Sequence, residues 1–360
     1  MGAGGQGNSG AGSIAGGSQG GVAEGVGRNG RGLVCVTGGT GLIASNIVRR
    51  LLQLGYTVRA TVRNPQDKKK TAILWDLEGA NERLSIVGAD LLQEGSFDAA
   101  LEGVEGVFHT AGPVLPEDPN NPQATMIDPT VNGALNVLRS CAKSSTMRKI
   151  VVTSSCSAVR YDYGRSAGDP PLDESSWSSV DYCKDHQMWY AIAKTQAEQE
   201  AWKFSQEHNL NLVVVNPSFV VGPFLGDFPS STVSYIYYVL HGKIEEYTNQ
   251  ILGFVHIDDV VEAHILAYEK AEASGRYICS SEVAHWEQIM DLMRSKYPAK
   301  LPTSCKRDNT EPIPHSLNTS KLQRLGLKSF KSLDQMFDDC LQDFSKKGLL
   351  PQLSCSTTPA

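Results

Sequence analysis

Short apolar runs that stop at glycines alternate along this chain with stretches whose apolar residues recur every three or four positions. The run Leu33-Val34-Cys35-Val36-Thr37 halts at a glycine cluster, as a strand buried on both faces does. From Leu42 onward, Leu42, Ile43, Ile47 and Leu51, flanked by Ala44, Val48 and Leu52, keep helical spacing until Gly55. Tyr56–Val62 then predicts a second strand. Further strands are expected at 84–87, 107–110, 150–153 and 212–215, separated by helical stretches near 96–101, 129–142 and 187–208. Strands that alternate with helices predict an α/β fold built on a doubly wound parallel sheet. No internal repeat interrupts the pattern.

Beyond Pro217 the alternation loosens. Pro217, Pro223 and Pro229 punctuate a loop, and helical patterns follow at 234–241, 259–273, 286–297 and 333–346. This predicts a sheet domain over residues 33–216 and a smaller, mainly C-terminal substrate-binding lobe over 217–350. Residues 1–32 hold 14 glycines and almost no large apolar side chain. Such a segment cannot bury enough surface to offset its backbone entropy, so a flexible tail is expected there. A transit peptide is the alternative, weakened by having only Arg28 and Arg31 as basic residues and no amphipathic period. Residues 351–360 read as a frayed end.

Composition narrows the functional classes. The 360 residues carry a formal net charge of -6, with 41% hydrophobic and 20% charged residues, which fits a soluble globular chain. An acidic balance argues against a nucleic-acid partner, which would need a basic surface. No run of about 18 apolar residues exists to span a membrane. Eight scattered cysteines with no C-x-x-C pair, and no apolar leader, point to reduced thiols and a cytoplasmic location.

Chemistry concentrates at strand ends. Thr37-Gly38-Gly39-Thr40-Gly41-Leu42-Ile43-Ala44 lies between a strand and a helix. Glycines there let the backbone approach a pyrophosphate, and the helix start offers free N–H groups and a partial positive charge. The position within a strand–helix–strand unit predicts dinucleotide binding. An NAD site would place Asp or Glu about 20 residues further on. Here the second strand ends in Val62-Arg63-Asn64-Pro65, with Lys68-Lys69-Lys70 after it. A guanidinium can hold a 2′-phosphate by paired charge-assisted bonds, so Arg63 predicts NADPH over NADH. Most of the lysine run reads as a solvated charge cluster.

Tyr190 and Lys194 stand four apart in a helical stretch and share a face. A phenol donates protons poorly at neutral pH unless a cation stabilises its anion. An ammonium about 4 Å away, at an effective dielectric near 20, does so by roughly 4 kcal/mol. Thr153-Ser154-Ser155 ends a core strand on the ligand-binding side of such sheets, where Ser155 can polarise a substrate carbonyl. His109 is expected to pack rather than react, and Asp258 or Asp259 to cap the following helix.

Together these residues resemble the extended short-chain dehydrogenase/reductase family, and within it the plant dihydroflavonol reductase and cinnamoyl-CoA reductase group. Stretches that carry the resemblance include Val34–Gly38, Tyr56–Arg63, Glu94–Asp98 and Arg276–Ser281, spread over residues 33–350. The resemblance implies a Rossmann-type fold, NADPH/NADP as cofactor and a small-molecule carbonyl substrate. It assigns Ser155, Tyr190 and Lys194 as the catalytic set. It also implies cofactor contacts at the Thr37-to-Ile43 loop, namely Thr37, Gly38, Gly41, Leu42 and Ile43. Further contacts would come from Arg63, Lys70, Asp90, Leu91, Thr110, Ala111, Tyr190 and Lys194, with Pro217 and Val220 covering the nicotinamide. Two departures bear on substrate. Met188-Trp189-Tyr190-Ala191-Ile192-Ala193-Lys194 differs from the N-W-Y-C-Y-G-K of cinnamoyl-CoA reductases. Arg160 stands five residues past Ser155, where dihydroflavonol reductases place Asn or a small acid, so a long cation would fill or re-charge that pocket. With Phe254–Asp259 and Val283–Trp286, the pattern is most similar to the tetraketide α-pyrone reductases, which act on polyketide precursors of sporopollenin. A sugar-nucleotide epimerase and a non-catalytic dinucleotide sensor stand as rival readings, and the oligomeric state stays open.

Overall fold

The computed structural model describes Met1 and residues 31–113, 118, 120–297, 301–306 and 312–351. The tails expected at 1–32 and 351–360 therefore lie, apart from Met1, Arg31, Gly32 and Pro351, outside the described residues.

The first half follows the expected alternation: β1 (Arg31–Thr37), α1 (Leu42–Gln53), β2 (Tyr56–Val62), α2 (Lys68–Trp75), α3 (Ala80–Arg83), β3 (Leu84–Gly88), α4 (Asp98–Leu101), β4 (Gly106–His109), α5 (Asp128–Lys143), β5 (Lys149–Thr153), α6 (Val180–Asp185), α7 (Trp189–Glu207) and β6 (Leu212–Pro217). The second half contributes β7 (Phe219–Val221), α8 (Ser231–Leu240), β8 (Glu246–Tyr247), β9 (Ile251–His256), α9 (Ile257–Glu269), β10 (Gly275–Cys279), β11 (Glu282–His285), α10 (Trp286–Lys296), β12 (Ser304–Cys305), α11 (Ser320–Leu325) and α12 (Leu333–Lys346). The first strand starts at Arg31, two residues before the expected boundary. The lysine run at 68–70 is the first turn of α2, which Asp67 caps by accepting the Lys70 N–H at 3.2 Å.

Seven strands form one parallel sheet in the order β10-β6-β5-β4-β1-β2-β3. The order reverses at β1, which pairs with β2 on one side and β4 on the other. A crevice opens at the carboxyl ends of the strands at such a switch point. Successive side chains explain why both faces are dry. Val34 and Val36 enter one core with α1 and the C-terminal elements, while Cys35 enters the other with Val107, Ile150 and Val214.

The division at residue 217 is not where the layers separate. α9 packs on α1, β5 and β6, and β10 then pairs with β6 as the seventh strand. A parallel partner needs a crossover connection, and the intervening segment supplies it through α9. The lobe outside this sheet is a three-stranded sheet in the order β11-β9-β7, a β12-β8 pair, and α8, α10 and α12. Its core includes an aromatic cluster in which Phe219 meets Trp286 edge-on, ring centroids 5.2 Å apart. The cap of α9 also differs from expectation. His256 is the N-cap, its Nδ1 accepting the Asp258 N–H at 3.0 Å, while Asp258 and Asp259 occupy the first turn. With the imidazole as cap, both carboxylates turn to Lys331: Asp258 Oδ2 accepts from its Nζ and Asp259 Oδ2 from its backbone N–H, each at 2.9 Å.

Candidate active site

β1 delivers the chain into Gly38 with φ +67°, a left-handed conformation that a side chain strains. A Cβ there would also sit 3.0 Å from the Ala111 Cβ, and one on Gly39 would sit 2.8 Å from the Ala60 Cβ. Gly41 caps α1 without any side-chain acceptor, so the first N–H groups of the helix, those of Leu42 and Ile43 included, face outward without a side-chain partner from the cap. The Leu42 side chain itself is buried in the core. Thr37 does not face the cleft with its side chain. It is fully buried, and its Oγ1 accepts the N–H groups of Thr110 and Ala111, each at 3.1 Å. With both lone pairs used, that hydroxyl donates to His109 Nδ1, 2.9 Å away. His109 is therefore a neutral acceptor; burial first, and then the Lys194 charge, push its pKa down to about 3. Packing was the expected role, and this clamp between β1 and β4 is a packing role.

A cleft of about 540 Å³ opens beside the loop. Gly38, Gly41, Asp90, Leu91, Thr110 and Ala111 line it, together with the exposed cations Arg63 and Lys70. One acidic neighbour escaped the sequence reading: Asp67 also lines the cleft, with its carboxylate 3.6 Å from Lys70 Nζ. The residues fit a phosphorylated dinucleotide. A glycine cradle, a bare helix N-terminus and two exposed cations in the lining match diphosphate and ribose-phosphate groups.

Tyr190 and Lys194 lie in the first turns of α7, which packs against the 156–158 turn that follows Ser155. Tyr190 is 52% exposed, so its hydroxyl can exchange protons with solvent. Lys194 Nζ lies 5.8 Å from the Tyr190 ring centroid, within cation–π range. Ser155 accepts the Ser157 N–H at 3.1 Å through Oγ, which leaves its own proton to donate. Lys194 also faces a small cavity of about 30 Å³ with His109, Thr153, Ser154 and Glu198. Leu91, Ala111, Gly112 and Pro113 line both this cavity and the larger cleft, so the two share a wall.

Of the remaining residues, Pro217 ends β6 and Val220 lies in β7; both are buried, and neither borders either cavity. Arg160 is 6% exposed and committed. Its Nη1 donates to the Ile251 carbonyl at 2.9 Å, and Nη2 donates to the Tyr161 hydroxyl. It is a strut between the loop after β5 and β9 of the C-terminal lobe, its guanidinium engaged within the fold.

A buried knot also escaped the sequence reading. Glu198 receives Arg276 Nε at 2.6 Å, Ser154 Oγ at 2.5 Å and Asn216 Nδ2 at 2.9 Å. Two signals point to it in retrospect: Glu198 repeats the four-residue step from Tyr190 to Lys194, and Arg276 is the lone charge in an otherwise apolar strand.

The NAD dependent epimerase/dehydratase family matches residues 34–279. Tetraketide α-pyrone reductase 2 of Arabidopsis thaliana is 55% identical over 88% of this chain and 98% of its own length. Among solved structures, vestitone reductase from alfalfa (Medicago sativa) superposes with a TM-score of 0.73 at 34% identity, covering 89% of this chain and all of that one. Yeast methylglyoxal/isovaleraldehyde reductase, solved with NADPH, gives 0.75 at 25% identity over 88% of this chain and all of its own. A parallel sheet with its switch point at β1, a glycine cradle beside it and relatives matched over nearly their full lengths lead to one conclusion: the chain belongs to the NAD dependent epimerase/dehydratase family, in its extended short-chain dehydrogenase/reductase branch.

Proposed function

We propose that this chain is an NADPH-dependent reductase that converts a ketone of a polyketide-type substrate, a tetraketide α-pyrone of the sporopollenin pathway, to the alcohol. The observation that carries the reductase reading is the wall that the cleft beside the glycine loop shares with the cavity that Lys194 faces. The substrate reading rests on the 55% identity to an α-pyrone reductase and on Arg160. A cytoplasmic location belongs to the same reading. No helix of the described residues is long and apolar enough to cross a membrane.

Bound NADPH supplies the hydride for the carbonyl carbon. Arg63 and Lys70 would hold its 2′-phosphate, and the start of α1 its diphosphate. Ser155 donates a hydrogen bond to the carbonyl oxygen and so favours the charge that develops there. Tyr190 transfers its proton to that oxygen, which completes the alcohol. Lys194 stands beside the phenol ring, 5.8 Å from its centroid, and the proton is restored from solvent, to which Tyr190 is open.

Loss of NADPH absorbance tests the reading against three carbonyl sets: hydroxyalkyl tetraketide α-pyrones, hydroxycinnamoyl-CoA thioesters and dihydroflavonols, each repeated with NADH. Turnover of the pyrones with NADPH is expected. Turnover of a thioester or a dihydroflavonol alone would keep the mechanism and replace the substrate. Silence on all three, with NADPH still bound, would favour a dinucleotide sensor.

A further inference from the structure

α7 carries more than the proton donor. Tyr190, Lys194 and Glu198 step down one side of it at intervals of four residues, so a carboxylate sits two turns below the phenol. Glu198 is 2% exposed, a costly place for a charge unless every lone pair is engaged. They are engaged. Oε2 accepts from Ser154 Oγ and Asn216 Nδ2, and Oε1 from Arg276 Nε and, at 3.4 Å, Trp202 Nε1.

The partners matter more than their number, because they hold the backbone on both sides of Ser155. Ser154 precedes it. Asn216 Nδ2 also reaches the Ser155 carbonyl at 3.3 Å. Arg276 stacks 3.8 Å over the Trp177 ring and donates to the carbonyls of Ala158, at 3.3 Å, and Ser176. The carboxyl ends of β5 and β6 and the start of β10 are thus tied to the helix that bears Tyr190 through one buried carboxylate. We infer that Glu198 is a positioning residue, which sets the spacing between the Ser155 hydroxyl and the Tyr190 hydroxyl across the substrate carbonyl. This rests on the catalytic assignment of Ser155 and Tyr190 made above.

The sharpest variant is Glu198→Gln. It keeps the shape, but the amide NH₂ replaces an acceptor with a donor, opposite either the Arg276 N–H or the Ser154 and Asn216 donors. Misplacement of a reacting group by about 1 Å can cost about 100-fold in rate. The expected result is a fall in kcat of about 10- to 100-fold, with the Kd for NADPH, read by fluorescence titration, within about twofold of the parent. Ser154→Ala removes only one of the ties and should produce a smaller loss of the same kind; it serves if Glu198→Gln does not fold. A double variant decides whether the effect runs through Ser155. In a Ser155→Ala background, Glu198→Gln should add little further loss of kcat, because both remove the same positioned hydroxyl. Losses that multiply, or a folded Glu198→Gln protein with parental kcat, would overturn the inference. Should Ser155→Ala alone retain full turnover, the catalytic assignment fails first, and the inference with it.

Discussion

Two regions meet at the carboxyl edge of the sheet, and they are built in opposite ways. The dinucleotide cleft is open, lined by backbone, small side chains and the exposed cations Arg63 and Lys70. The knot around Glu198 is closed, with Arg276 and Glu198 at 6% and 2% exposure. Each holds an arginine, yet the two do different work. Arg63 stands exposed on the cleft, where the proposed function gives it a ligand charge to meet. Arg276 has its partner within the fold, and its removal would strand a buried carboxylate. Charge at an exposed edge thus serves affinity, whereas charge in the interior serves geometry and stability.

Tyr190→Phe should produce the largest effect on that contrast. Turnover is expected to fall by about 10²- to 10⁴-fold, the usual worth of a positioned general acid, with NADPH affinity within about twofold. Steady-state kinetics and a binding titration check it. Arg276→Met should lower the free energy of unfolding by about 3–5 kcal/mol, because it leaves Glu198 as an uncompensated buried charge. Denaturant titration reads this loss. Arg63→Ala should do the reverse, with unfolding changed by no more than about 0.5 kcal/mol. NADPH should then bind about 10- to 100-fold more weakly, from the loss of roughly 1.5–3 kcal/mol of charged hydrogen bonding, and NADH about as before. If Arg63→Ala weakened both cofactors equally, the assignment of Arg63 to the 2′-phosphate would be wrong. Gly38→Ala, placed at φ +67°, should cost about 1–2 kcal/mol and weaken NADPH binding.

The smallest effect is a pH dependence. Burial pushes His264 down to about 4 and, with Lys194, His109 down to about 3. His264 accepts Thr153 Oγ1 at Nε2, 2.7 Å away, and donates from Nδ1 to the Val260 carbonyl, so it is held neutral. The unfolded chain takes up protons near pH 6.5, before these buried rings do. Stability is therefore complete above that pH and is lost as pH falls towards 4 and 3, by under about 1 kcal/mol per histidine at pH 6. Melting temperatures measured from pH 7.5 to 5 should fall. A flat profile would show that these rings are not held neutral.

Much of the cleft was legible because its signals are local. Leu33–Thr37, the glycine turn and the spacing of α1 are contiguous, and Arg63 lies one strand further on. Tyr190 and Lys194 are four residues apart on one helix, and Ser155 lies two residues past β5, a strand whose apolar run announces it. Less legible was anything whose meaning depends on distant partners. Thr37 looked like part of the phosphate loop, but its hydroxyl clamps Thr110 and Ala111, more than 70 positions away. Arg160 reads from the sequence as a long cation that fills or re-charges a pocket, and nothing local shows that the Ile251 carbonyl, 91 positions on, takes its guanidinium. Residues 217–350 read as one lobe, although Gly275–Cys279 returns to the main sheet.

What the sequence by itself determined is the sheet class, the glycine cradle, the basic edge beside it and the Tyr190–Lys194 pair, since periodicity and turn chemistry act within one strand–helix unit. Only the tertiary structure decided which strand completes the sheet, which polar groups are engaged inside, and that Glu198 ties α7 to the carboxyl ends of β5 and β6 and the start of β10. The physical reason is that a charge becomes tolerable in the interior only through partners that the fold, not the local sequence, brings to it.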